Sequence, residues 1–198
     1  MKKEAVNAAK AVPPFDEAIL KPVGAEVVCA VRTAPLHEFK LEEHCAGRGI
    51  VTYLPLRRTL KVHKVTSKGR PYSYSREVLR PLFPSYLFVK AELPLIRELY
   101  DTRRIQRYLQ PVNLESFLDE IRVVRKCETV GFGQELEVHE EIPEGGRFLI
   151  TSGVLEGVEG CLTQRDGVFK WTVEIEFCQQ FITMTIDPTK FAMKPLDD

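Results

Sequence analysis

The side chains best able to do chemistry in this 198-residue chain are four histidines and five cysteines, and their spacing argues against catalysis and metal binding. His44 and Cys45 are adjacent, so on a helix they diverge and cannot share a ligand. His37 and His44 lie two helical turns apart, about 10 Å by helical rise, too far for one zinc ion. Cys29, Cys45, Cys127, Cys161 and Cys178 are odd in number, widely separated and set in apolar stretches. That pattern suits reduced thiols packed as small hydrophobes in a cytoplasmic protein. No phosphate-binding glycine loop, G-x-S-x-G elbow or pair of C-x-x-C motifs occurs. Gly153, Gly157 and Gly160 fall between strands, where turns and close backbone packing explain them. A Cys–His nucleophile is the one enzymatic alternative left open. The expectation is a protein that is not an enzyme, with no catalytic residue, metal or cofactor.

A different chemistry is written in residues 57–80. Arg57, Arg58, Lys61, Lys64, Lys68, Arg70, Arg76 and Arg80 stand there against the single acid Glu77, with Tyr72 and Tyr74 between them. Cations beside aromatic rings neutralise phosphates and stack on bases, so this stretch is a candidate nucleic-acid contact. The formal charge of the whole chain is zero, but it divides unevenly. Residues 23–128 carry 19 basic and 12 acidic groups, a net of +7, and residues 129–198 carry 5 and 13, a net of −8. The basic part points to a polyanionic partner.

These residues need elements to hold them. Residues 1–22 mix charges, alanines and prolines without a period and read as a loosely held tail. Val27–Val31 is a short buried strand, and Leu36, Phe39, Leu41 and Cys45 have helical spacing up to Gly47. Residues 50–56 and 59–65 are strands, and the turn at 67–71 begins a return strand, making a long polar hairpin. Residues 84–90 form another strand, Pro94 opens a helix, and Ile105–Leu109 is a further strand. Asn113 caps a helix carrying Phe117, Ile121 and Val124. Residues 23–128 therefore read as an α+β sandwich, an antiparallel sheet with flanking helices. Residues 129–142 read as a flexible acidic linker. Short strands within 143–198, with Phe169, Trp171, Val173, Ile175 and Phe177 on one face, predict a small β-barrel. The longest unbroken apolar run, Val27–Val31, is far short of a bilayer span, and no membrane partner is expected.

Three segments in order resemble the NusG family of transcription elongation factors. Cys29-Ala-Val-Arg-Thr-Ala-Pro-Leu-His-Glu-Phe-Lys with Gly49-Ile50 and Leu54-Pro55 resembles the start of its N-terminal (NGN) domain. Pro81-Leu-Phe-Pro-Ser-Tyr-Leu-Phe-Val89 resembles its most distinctive signature, and 148–162 looks like the KOW motif of its SH3-like C-terminal barrel. The strand ending Phe181-Ile-Thr-Met-Thr-Ile-Asp-Pro resembles specialised paralogues, RfaH and the UpxY-type antiterminators of polysaccharide loci. Departures exist: Ser85 stands where many relatives have glycine, Arg104 replaces another glycine, and the helix after Leu93 lacks the His-Thr-Thr-Thr run of RfaH.

The resemblance implies docking on the clamp helices of RNA polymerase, through Leu82, Phe83, Tyr86 and Phe88. Strand alternation supplies a physical reason, placing Tyr86 and Phe88 opposite Leu87 and Val89 as an apolar patch. The family places this domain beside the non-template DNA strand, matching Arg32, His44, Arg48, Thr102 and Arg103 to DNA-facing positions. Lys61, Lys64, Lys68 and Arg70 of the hairpin join them, and nascent RNA is the other candidate strand. The acidic KOW unit is expected to recruit a second protein, such as a small-subunit ribosomal protein or a termination factor, with Val154 and Leu155 as anchors. The whole reads as a monomeric, cytoplasmic antitermination factor. A ribosome-associated RNA-binding KOW protein is the alternative. RfaH masks its clamp-binding patch with a helical C-terminal domain. Here period-2 alternation and the β-branched Thr172, Val173 and Ile175 predict a strand-built unit, docked loosely or not at all.

Overall fold

In the segment Glu26–Thr33 (β1) the central run Val27–Val31 is wholly apolar, because this strand lies inside a sheet covered on both faces. It pairs antiparallel with Tyr86–Glu92 (β5) and with Ile105–Leu109 (β6). Val51–Tyr53 (β2) adds to the far side of β5, giving the order β2-β5-β1-β6. These details come from a computed structural model, which describes residues 12–67, 70–132, 136–139 and 145–196.

Alternation along the strands sorts two cores. Cys29, Val31, Leu87 and Val89 pack with Leu41 and Cys45 of helix Glu38–Ala46 (α1) and Ile96 of helix Leu93–Glu98 (α2). Val28, Ala30, Tyr53 and Phe88 take the other face, against Phe117, Ile121, Val124 and Cys127 of helix Leu114–Gly131 (α3). Each valine, leucine, isoleucine and phenylalanine among them contributes about 1.5–3 kcal/mol on full burial. Asn113 caps α3 as expected, its side chain accepting the Ser116 N–H at 3.1 Å. Residues 12–22 are not a loose tail. Ile19 is fully buried in a short 3₁₀ turn, Glu17–Leu20, and the Phe15 ring meets Tyr53 edge-on at 4.8 Å.

The hairpin Leu56–Ser67 (β3) and Arg70–Pro81 (β4) forms a separate two-stranded ribbon. Its base is tied to α3 through buried Glu128, whose carboxylate accepts the Leu56 N–H, the Tyr53 hydroxyl and the Arg125 guanidinium at 2.7–2.9 Å. The Arg58 guanidinium lies over the Phe132 ring, and Arg57 donates to the Leu136 carbonyl.

The C-terminal half corrects two expectations. Strands Glu137–His139 (β7), Gly146–Ile150 (β8), Glu159–Arg165 (β9), Val168–Ile175 (β10), Gln180–Thr185 (β11) and Met193–Pro195 (β12) form one antiparallel sheet, ordered β12-β8-β9-β10-β11-β7. Among the described residues this sheet is open, with β12 and β7 at its edges, rather than a closed barrel. Part of the expected 129–142 linker is also structured, because α3 runs on to Gly131 and β7 pairs with β11. Trp171, Val173 and Ile175 share a buried face as their alternation required. Gly160 makes room for them, since a Cβ there would lie 2.6 Å from the Thr172 carbonyl and 2.8 Å from the indole. Phe177 leaves this pattern. The chain turns at Glu176–Cys178, and the ring points elsewhere.

Candidate functional site

The signature Pro81–Val89 reaches its place through backbone contacts. Ser85 adopts φ +66°, its N–H donates to buried Glu38 of α1 at 2.7 Å, and its carbonyl accepts the Thr33 N–H at 2.9 Å. Glycine adopts this left-handed conformation freely, whereas the serine side chain makes it costly. The turn swings Phe83 and Tyr86 to the α3 side of the sheet, where they join Phe88 and Phe117 around one ring. That ring is Phe177. Its centroid lies 5.5 Å from Phe83, 5.7 Å from Tyr86, 5.0 Å from Phe88 and 5.9 Å from Phe117, edge-to-face in each case.

Glu120 of α3 fixes the turn that carries this ring. Its carboxylate accepts the N–H of Glu176 at 2.7 Å and of Phe177 at 3.3 Å. Burial pushes the Glu120 carboxyl above its ordinary range, with Glu176 and Glu174 adding to the rise, while the two N–H donors pull against it. Lys126 adds a hydrogen bond to the Glu156 carbonyl. The two halves thus share one apolar cluster, from Phe88 and Phe117 through to Trp171 and Ile182. Loose or absent docking was the wrong expectation. An alternating run ends at Phe177, and nothing in its local pattern says that the last aromatic turns toward another sheet.

Residues 29–129 match the family described as NusG, transcription termination factor nusG. The chain belongs to the NusG family of transcription factors. Among solved structures it is similar to a chain of the MjSpt4:Spt5 complex in conformation B, at 15% identity and a TM-score of 0.26, covering 86% of this chain and 100% of that one. That overlap is too low to bear on the arrangement of the halves. No curated protein matches.

Within this NusG-family chain the candidate polymerase patch is covered rather than open. Leu82, Phe83 and Phe88 are at most 1% exposed and only Tyr86 is half-buried. Both faces of the sheet are therefore core in this arrangement, because α3 covers one part of the patch and Phe177 the rest. The positions matched to DNA-facing residues do not converge. Arg32 opposes Tyr86 and Arg107 in the sheet register, on the α3 side. His44 and Arg48 lie at the end of α1 on the other side, with Arg48 ion-paired to Glu98. Thr102 is occupied in its own turn, donating to the Leu99 carbonyl at 2.6 Å and accepting the Arg104 N–H, and Arg103 closes that turn at φ +55°. It is Arg103, rather than Arg104, that takes the left-handed conformation. In the C-terminal sheet Val154 is 55% exposed, but Leu155 is fully buried and cannot anchor a partner.

The hairpin divides the candidate cations by face. Lys61 and Arg70 lie on one face and Lys64 on the other, while Lys68 falls outside the described residues. The thiols are kept protonated: burial pushes Cys29, Cys127 and Cys178 up to about 12 and Cys45 to about 11, which suppresses thiolate. Among the described residues no group of three His, Cys, Asp or Glu is placed to hold a metal, and no helix is long and apolar enough to cross a membrane.

Proposed function

We propose that this protein is a non-enzymatic transcription elongation and antitermination factor of the cytoplasm. The aromatic cluster Phe83, Tyr86 and Phe88, with Leu82 beneath it, docks on the clamp helices of RNA polymerase. The observation that carries this reading is the socket itself: four rings from the family-matched region enclose a single aromatic side chain supplied from outside it. A ring-lined recess of this kind is where interface energy concentrates. Polymerase and Phe177 compete for it, so docking requires the C-terminal sheet to withdraw. The basic hairpin contacts upstream or non-template DNA, or nascent RNA. The C-terminal sheet serves as a KOW-type unit that recruits a second factor, with exposed Val154 at its turn. Specialisation for particular operons, as in RfaH- and UpxY-like paralogues, completes the proposal.

Co-purification with core polymerase tests it, with isolated clamp helices as competitor. Tyr86→Ala is the clean variant, because Tyr86 is half-buried whereas Phe88 also supports the core. Capture by polymerase, lost on adding clamp helices and weakened by Tyr86→Ala in a folded protein, is expected. Capture that ignores both the competitor and the substitution would overturn the docking assignment.

A further inference from the structure

The hairpin β3–β4 has two chemically unlike faces. Directly opposed residues of an antiparallel pair point to the same side. The pairs Lys61↔Arg76, His63↔Tyr74 and Val65↔Tyr72, with Arg70 two residues before Tyr72, therefore build one face, and Leu60↔Glu77, Val62↔Ser75, Lys64↔Ser73 and Thr66↔Pro71 the other. All the rings fall on the first face. His63 stacks on Tyr74 with centroids 5.1 Å apart and planes 10° off parallel, and Tyr72 continues the row at 6.3 Å and 26°. About half of each tyrosine is open to solvent, 50% for Tyr72 and 48% for Tyr74. Cations bracket the row, Lys61 and Arg76 on the side of the hairpin base and Arg70 toward its tip. The hairpin's only acid, Glu77, lies on the opposite face, where it pairs with Arg58 at 3.7 Å.

A solvated arm has no reason to gather its rings and these cations on the face away from its one carboxylate. A basic loop acting by charge alone would not need a ring row. We propose that the face bearing Lys61, His63, Tyr72, Tyr74, Arg70 and Arg76 binds a single strand of nucleic acid, stacking its bases on the tyrosine row while the flanking cations take its phosphates. Base faces are free for such stacking only when the strand is unpaired. Recognition through base faces and phosphates does not consult the 2′-hydroxyl, so DNA and RNA strands bind alike. The proposal rests on the nucleic-acid contact suggested for the hairpin above, but its test contains no polymerase and so can fail on its own.

The test is binding of the full chain to oligo(dT), oligo(U) and a duplex of equal length, over a range of salt. Both single strands are expected to bind more tightly than the duplex. Tyr72→Ala and Tyr74→Ala should each weaken single-strand binding by roughly 5- to 100-fold without changing its salt slope, and Tyr74→Phe should restore it. Lys61→Gln and Arg76→Gln should each reduce the salt slope by about 0.7, while Lys64→Gln on the opposite face leaves slope and affinity unchanged. Equal binding of duplex and single strands with silent tyrosine variants overturns the proposal. So does a Lys64→Gln effect as large as that of Lys61→Gln, or binding confined to one sugar type.

Discussion

Phe177→Ala is the perturbation that bears most directly on the closed arrangement. Replacing a fully buried phenylalanine by alanine costs about 3–5 kcal/mol. Phe177 is half-buried, yet it meets four rings edge-to-face, so about 2–3 kcal/mol is the expected loss. All four rings belong to the N-terminal half, so the loss falls on contact between halves rather than on either sheet. At 1.4 kcal/mol per tenfold, the closing equilibrium shifts roughly 30- to 150-fold toward the open form. The amides of Glu176 and Phe177 report this shift, because both donate to Glu120 across the contact. Their hydrogen exchange should accelerate by that factor, while the amides of β1 and β10 stay protected. Polymerase capture should rise in parallel. Unchanged exchange at Glu176 and Phe177 would refute the inference that this ring holds the halves together. Loss of protection throughout β10 would show instead that Phe177 supports its own sheet.

Two further outcomes concern Glu120, at the contact between the halves, and Ser85, within the signature turn. Because burial raises the Glu120 carboxyl above its ordinary value of 4.5, the closed form binds that proton more tightly than the open form. Its contribution to closure is full below the ordinary value and is lost as pH rises through the raised one. Protection of the two amides, corrected for intrinsic exchange, should therefore strengthen on acidification across that window, and Glu120→Gln should flatten the change. A pH step that survives in Glu120→Gln would assign it to another group. Ser85→Gly should stabilise the protein by about 0.5–1 kcal/mol, since it relieves a left-handed L-residue at the entropic cost of glycine and keeps both backbone hydrogen bonds. Urea unfolding with an unchanged slope measures this, and a lower midpoint would contradict it.

Much of the chain was legible from local pattern. Alternation sorted Leu87 and Val89 from Tyr86 and Phe88, the 3–4 spacing and Asn113 cap specified α3, and β-branching specified β10 and β11. These are short-range properties, set by which side of an element a side chain occupies, and they hold whatever that element meets. Three segments in order, the signature Pro81–Val89 among them, also pointed to the family from sequence alone. What occupies a face is a long-range matter, and there the pattern was silent. Tyr86 and Phe88 share a side by alternation, but whether that side meets solvent, polymerase or Phe177 depends on a residue some 90 positions away in the chain. The hairpin shows the same division. Composition marked residues 57–80 as basic and alternation parts Tyr72 and Tyr74 from Glu77, but only the strand register set Lys61 and His63 on the tyrosine side and Lys64 on the side of Glu77. A slip of one residue would have set Lys64 on the side of the tyrosines and Glu77 on the side of Lys61 and His63 without changing a letter of the sequence, because side chains alternate with period two and the register is fixed by pairing.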